Sequence, residues 1–323
     1  MYSGPKKSVL LLKPRGFCAG VVRAIDIVDL ALQAFGPPIY VRKEIVHNRF
    51  VVRDLASRGA VFVDSVDDVP AGARLVYSAH GVAPSVRRAA AERDLRVIDA
   101  TCPLVTKVHL EAIKFAKSHG TILLIGHRDH DEVIGTVGEA PEQTIIVSSP
   151  EEAESVQVPE GNVAYLTQTT LSLDEAQSII DVLRRRFPHI LAPPAKDICY
   201  ATENRQIAVK HVAQKADLLL VVGSQNSSNS RRMVEVGAQR GLPGYLIDDE
   251  TDIVPSWFEN AERVAVSAGA SAPESLVRVV LDHLYSMGFQ DVQEVEAIEE
   301  DVHFPLPPEL QQAQSLTQIA IDS

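Results

Sequence analysis

LLLKPRGFCAGVVRAIDIV, residues 10–28, sets a cysteine between a glycine-bearing turn and the start of a helical pattern. An apolar run, VLLL, stops at Lys13, and from Ala19 onward apolar residues recur at helical spacing. Cys18 therefore stands at a strand-to-helix junction, where the first N–H groups of a helix lack partners within it and a ligand can approach. The other two cysteines, Cys102 and Cys199, stand in the same kind of place. Cys102 lies in RVIDATCPLVTKVHLEAIKFAKSHG and Cys199 in AKDICYATENRQIAVKHVAQKA. Each follows a short extended segment and precedes a helical one.

Counting from each cysteine exposes an internal repeat. The strands TILLIG and DLLLVVG end at Gly126 and Gly223, both 24 residues after their cysteine. Polar residues follow at matching distances: His47 is 29 residues after Cys18, His130 is 28 after Cys102, and Ser227 and Ser228 are 28 and 29 after Cys199. A second set of strand ends recurs in RLVYSAHGVAPSVRRAA, NVAYLTQTTLSLDEAQSII and RVAVSAGASAPESLVRVV, which carry His80, Thr169 and Ser271. Each time an apolar strand runs into small polar residues and then into a helix start. Strands alternating with helices predict an α/β fold with parallel sheets and crossover helices. The expected division is a first α/β unit at 1–94, a second at 95–192, a third at 193–288 and a surface tail at 289–323, with LAPPAK (191–196) as a linker. In open α/β sheets ligands bind beyond the carboxyl ends of the strands. Three such units facing a common centre would gather the three cysteines and ring them with the polar strand-end residues.

Bulk properties narrow the class. The chain has 323 residues, 46% apolar and 23% charged, which is ordinary for a globular protein. A net charge of −12 argues against general nucleic-acid binding but leaves room for a local anion pocket. No apolar run approaches a membrane span, and VLLL is too short for a signal-peptide core, so a cytoplasmic protein is expected. Three cysteines in such a chain argue against a disulfide framework and leave unrelated thiols or a metal site.

The spacing of the thiols bears on which metal. Structural zinc sites favour close cysteine pairs, whereas these three are 84 and 97 residues apart. A cubane iron–sulfur cluster normally takes four thiolates, so with three one iron stays open to substrate. The segment GSQNSSNSRR (223–232) sets Ser227, Ser228 and Asn229 at a predicted helix N-terminus, which suits phosphate oxygens but equally suits a plain N-cap. Glu132, in RDHDE beside His130, is a candidate general acid, because a carboxyl group near a bound phosphate tends to keep its proton. There is no Walker motif, so nucleotide hydrolysis has no support.

PRGFCAGV, EIVHNR, SAHGV, ATCPLVTKVH, TQTTLS, DICYAT, NRQ, VVGSQNSSNS and AGASAP together resemble the hydroxymethylbutenyl diphosphate reductase family, also called LytB or IspH. The resemblance runs from about Lys13 to Pro273. It implies three similar α/β domains in a pseudo-threefold trefoil around one 4Fe–4S cluster, held by Cys18, Cys102 and Cys199 with one iron open. It implies that His47, His80, His130, Ser227, Ser228, Asn229 and Ser271 bind the substrate's diphosphate. Thr169 would lie near the substrate hydroxyl, and Glu132 would deliver protons. The implied reaction is reductive dehydroxylation of 4-hydroxy-3-methylbut-2-enyl diphosphate to isopentenyl and dimethylallyl diphosphates, with two electrons and two protons. A ferredoxin or flavodoxin is the expected electron donor. Asp131 departs from the family pattern, which often has Pro there. Three rival readings are a quinolinate-synthase-like enzyme, an iron–sulfur sensor without turnover and a structural zinc protein.

Overall fold

A computed structural model describes residues 7–118 and 120–310. The chain begins with β1 (Ser8–Lys13), α1 (Ala19–Phe35), β2 (Ile39–Arg42), α2 (Arg49–Ser57), β3 (Ala60–Val63), β4 (Arg74–Tyr77), α3 (Pro84–Glu92) and β5 (Arg96–Asp99). It continues through α4 (Pro103–Lys117), β6 (Thr121–Ile125), α5 (Asp131–Glu139), β7 (Thr144–Val147), α6 (Pro150–Ser155), β8 (Val163–Thr167) and α7 (Leu173–Arg186). The last part holds α8 (Tyr200–Val212), β9 (Leu218–Val222), α9 (Ser228–Gln239), β10 (Gly244–Ile247), β11 (Arg263–Ala268), α10 (Glu274–Ser286) and β12 (Asp291–Glu296). Every strand pairing is parallel among the described residues, as strands joined by crossover helices require. The fold is α/β.

The chain divides into two compact units. One takes the chain up to Cys18, Thr170–Leu173 and Cys199–Val302. It holds a five-stranded sheet in the order β10-β9-β11-β1-β12. β9, LLLVV, is buried throughout and β1 in five of its six residues, which explains why both read as unbroken apolar runs rather than alternating ones. Leu10, Leu12, Leu219 and Val221 pack against Val209 and Val212 of α8 and Met233 and Val236 of α9.

The other unit takes Ala19–Thr169, Asp174–Ile198 and the chain from His303. It holds two sheets, β3-β2-β4-β5 and β7-β6-β8. Leu75 and Tyr77 pack with Val82 and Ala90 under the first sheet; Ile122, Leu124 and Leu166 pack with Val108, Ala112 and Val133 under the second. Helix starts follow local chemistry. Asn48 Oδ1 accepts from the N–H groups of Phe50 and Val51 at the start of α2, and Pro103 opens α4, where no N–H is needed.

Strand pairing departs from the sequence boundaries in three places. β1 pairs with β11 and β12, so the first strand belongs to the sheet of the last segment. β5, beyond residue 94, pairs with β4. β12, expected in the surface tail, completes the edge beside β1. The reason is backbone pairing: a strand as buried as β1 leaves N–H and C=O groups along both edges that need partners, and β12 supplies them on the second. The end of the expected surface tail, residues 311–323, lies outside the described residues.

Candidate active site

Three imidazoles meet at strand ends of the two-sheet unit. His47 follows β2 and precedes the cap of α2; its Nδ1 lies 3.1 Å from Glu44 Oε2. His80 follows β4 in a tight turn closed by the Gly81 N–H on the Ser78 carbonyl, with Gly81 at φ +78°. His130 caps α5, its Nδ1 accepting from the Glu132 N–H at 3.3 Å. The rings of His47 and His80 stack with centroids 3.9 Å apart, and His130 stands edge-on to both at 5.5 and 5.9 Å. Burial first, then the neighbouring His47 and His130, holds the His80 imidazole well below its ordinary pKa. Its Nδ1 is buried with no hydrogen-bond partner. A partnerless polar atom in such a cluster is costly, and an anion would both satisfy it and favour protonated rings.

Asp131 brings a carboxylate oxygen within 4.8 Å of ring nitrogens of His47 and His80. Such a trio can hold a divalent cation, but the same ring nitrogens, where they carry protons, donate to the oxygens of an anion.

Glu132, in the first turn of α5, is 2% exposed. Its Oε1 accepts from the Thr169 N–H at 2.6 Å and its Oε2 lies 2.8 Å from Thr169 Oγ1. Burial pushes its pKa up to about 7; the two Thr169 bonds oppose this and the charge of Asp197 adds to it. A carboxyl poised near neutrality, with donors ready to stabilise its anion, is fit for general acid work.

A buried acidic group behind this pair escaped the sequence reading. Asp197 accepts from the Thr167 N–H at 2.8 Å and from Lys107 Nζ at 2.8 Å, and so pins the end of β8 two residues before Thr169. Glu111 lies beside it; burial, then Asp197, pushes its pKa up to about 7 against the pull of Lys107. The only signal in the sequence was an aspartate two residues before Cys199.

In the five-stranded unit the start of α9 forms a compact hydroxyl and amide cluster. Asn229 Nδ2 and Ser230 Oγ both reach Ser227 Oγ, at 3.0 and 2.9 Å. Ser228 Oγ donates to the Thr170 carbonyl at 3.2 Å. Asn229 Oδ1 accepts from the Ala270 N–H at 2.9 Å, beside the buried Ser271, and the Ala270 carbonyl accepts from the Cys18 N–H at 3.1 Å. The structure thus links Asn229, Ser271 and Cys18 through one residue. Arg205, 1% exposed, fixes the same loop from beneath: its Nη2 donates to the Gly16 carbonyl at 2.6 Å, and Glu300 faces its guanidinium.

None of the three cysteines forms a disulfide, and each is of intermediate exposure. Cys18 directly precedes α1, Cys102 precedes α4, and Cys199 caps α8 with its Sγ accepting from the Thr202 N–H at 3.4 Å. Cys18 and Cys199 belong to the five-stranded unit and Cys102 to the other. Helix N-termini favour the thiolate, the form that ligates metal, so this donor set fits a thiolate-held iron–sulfur group.

Comparison with known proteins agrees with these features. The profile of the LytB protein family matches residues 9–285. The 4-hydroxy-3-methylbut-2-enyl diphosphate reductase of Acidothermus cellulolyticus is 56% identical over 308 residues, covering 95% of this chain and 91% of that protein. The solved E-1-hydroxy-2-methyl-but-2-enyl-4-diphosphate reductase of Plasmodium falciparum superposes with a TM-score of 0.94 at 40% identity, covering 97% of this chain and all of that one (100%). A second solved (E)-4-hydroxy-3-methyl-but-2-enyl diphosphate reductase, described as the terminal enzyme of the non-mevalonate pathway, gives a TM-score of 0.62 at 28% identity over 87% of this chain and 99% of its own. With its profile match, its relatives and its site chemistry in agreement, the chain belongs to the LytB family.

Proposed function

We propose that this chain is a 4-hydroxy-3-methylbut-2-enyl diphosphate reductase. It takes the allylic alcohol diphosphate, two electrons and two protons, breaks the C–O bond to the hydroxyl, and releases water with isopentenyl or dimethylallyl diphosphate. The observation that carries the reading is the Glu132–Thr169 pair, with Glu132 in the first turn of the helix that His130 caps, a proton donor set beside an anion site.

His47, His80 and His130 take oxygens of the diphosphate, and His80 Nδ1 gains the partner it lacks. Ser227, Ser228, Asn229 and Ser271 supply further donors to the same group. Binding the remote diphosphate orients the hydroxyl end for reaction. Thr169 steers that hydroxyl toward Glu132. Glu132 passes its proton to the departing oxygen, so water leaves rather than hydroxide, and the two Thr169 hydrogen bonds hold the carboxylate that remains. Cys18, Cys102 and Cys199 would hold a 4Fe–4S cluster, which would supply single electrons and a Lewis acid. The second proton goes to one end or the other of the allyl system, which accounts for two products.

The family resemblance supports three α/β domains in a trefoil around that cluster, one domain to each sheet. Electrons delivered singly fit a ferredoxin or flavodoxin donor. No helix among the described residues is long and apolar enough to cross a membrane, and we place the enzyme in the cytoplasm.

The test is anaerobic turnover of the allylic alcohol diphosphate with a reduced viologen as electron source. Both five-carbon diphosphates should form, one water lost per two electrons consumed. Iron-loaded protein that binds this substrate without consuming electrons would make it a sensor instead.

A further inference from the structure

His109, on α4, has no role in the chemistry above, yet its ring sits where three site-bearing segments converge. It is buried, with 6% exposure. One edge faces the end of α5: Nδ1 lies 2.8 Å from Glu139 Oε1. Glu139 also accepts from Arg87 Nη2 of α3 at 2.5 Å, and Arg87 Nη1 donates to the Val82 carbonyl at 3.1 Å. The other edge, Cε1 and Nε2, enters a gap between Gly81 and Gly135. A Cβ added to either glycine would stand 3.2 Å from the ring. Gly81 directly follows His80, and Gly135 lies in α5, three residues after Glu132. Nε2 is buried without a hydrogen-bond partner, so no polar contact accounts for this edge. Burial lowers the ring's pKa against the pull of Glu139, which leaves a neutral imidazole with its Nδ1 proton toward the carboxylate. The ring acts here by its shape.

We propose that His109 is a positioning residue that sets the spacing between the His80 turn and the start of α5, and with it the width of the anion site between His80 and His130. The two rings stand 5.9 Å apart, and backbone on both sides of His109 leaves no slack to absorb a change. The inference rests on the diphosphate reading of that cluster.

The test is binding of inorganic diphosphate to the anaerobic, iron-loaded protein by calorimetry, with steady-state kinetics alongside. H109N keeps an amide N–H for Glu139 but empties the gap. Diphosphate binding should weaken about tenfold and KM rise in step, with kcat falling less than about threefold and iron content unchanged. Gly135→Ala alone pushes against the ring and should also weaken binding. Combined with H109N, its methyl fills the vacated gap and should bring affinity back to within about threefold of the parent.

A folded H109N with parental affinity and KM overturns the proposal, as does a double variant that binds no better than H109N. If H109N fails to fold, the double variant decides: parental affinity supports the spacing role, and a folded protein with lost affinity overturns it. Parent protein that binds no diphosphate overturns the diphosphate reading itself, a failure distinct from one confined to H109N.

Discussion

Glu132→Gln isolates the protonation state of the site. Gln copies the shape of the protonated side chain: its oxygen still accepts from the Thr169 N–H, and its amide N–H takes the place of the acid proton toward Thr169 Oγ1. In the parent, burial lifts the carboxyl from its ordinary 4.5 to about 7, with Asp197 adding to the shift and Thr169 opposing it. When pH rises past the unfolded value, the unfolded chain releases this proton first, and the native state falls behind until the folded carboxyl also ionises near pH 7. Gln has no proton to release. The variant should therefore gain stability relative to the parent between pH 5 and pH 8, by about 2–3 kcal/mol. Urea unfolding of both proteins, prepared alike and anaerobically at the two pH values, measures the difference. A stability difference that does not change with pH would refute the raised carboxyl. Turnover should fall by about 10²–10⁴ in the same variant, since the donor of the departing oxygen's proton is gone.

Other residues give sharper yes-or-no outcomes. Cys102→Ser should lower the iron bound and abolish turnover; a full complement of iron with parental activity contradicts three-thiolate ligation. Asn229→Ala leaves the Ala270 N–H without its acceptor, and should lower stability by about 1–3 kcal/mol in urea unfolding and weaken diphosphate binding. An unchanged midpoint would show that another group takes over that N–H.

Much of the site was legible because its residues follow strands. His47, His80 and His130 each come after an apolar run and before a helix start; matching distances from the cysteines marked out His47 and His130, and the second set of strand ends marked out His80. The strands themselves were equally readable, since β9 and β1 are buried runs. Partners were not. Nothing in VLLL tells that it lies between VAVSA and DVQEVE, because parallel pairing is decided by how the crossover helices pack. Buried polar residues inside helices were hidden for a related reason. Arg205 and Gln206 are charged and polar, a character that says nothing of burial, yet both are buried. Gln206 accepts from the Leu173 N–H and donates to the Leu171 carbonyl, each at 2.9 Å. His109 likewise follows helical spacing, and only the packing of Gly81 and Gly135 against its ring sets it apart.

The central claim is an iron–sulfur group that meets the substrate directly. Mössbauer spectroscopy of anaerobically prepared, iron-57-labelled protein, with and without the allylic alcohol diphosphate, tests it in one comparison. Three cysteines on a four-iron cluster leave one iron of about four without a thiolate, and that iron alone should change its signal when substrate is added. A spectrum indifferent to substrate, or a carefully anaerobic preparation without iron, would contradict the account.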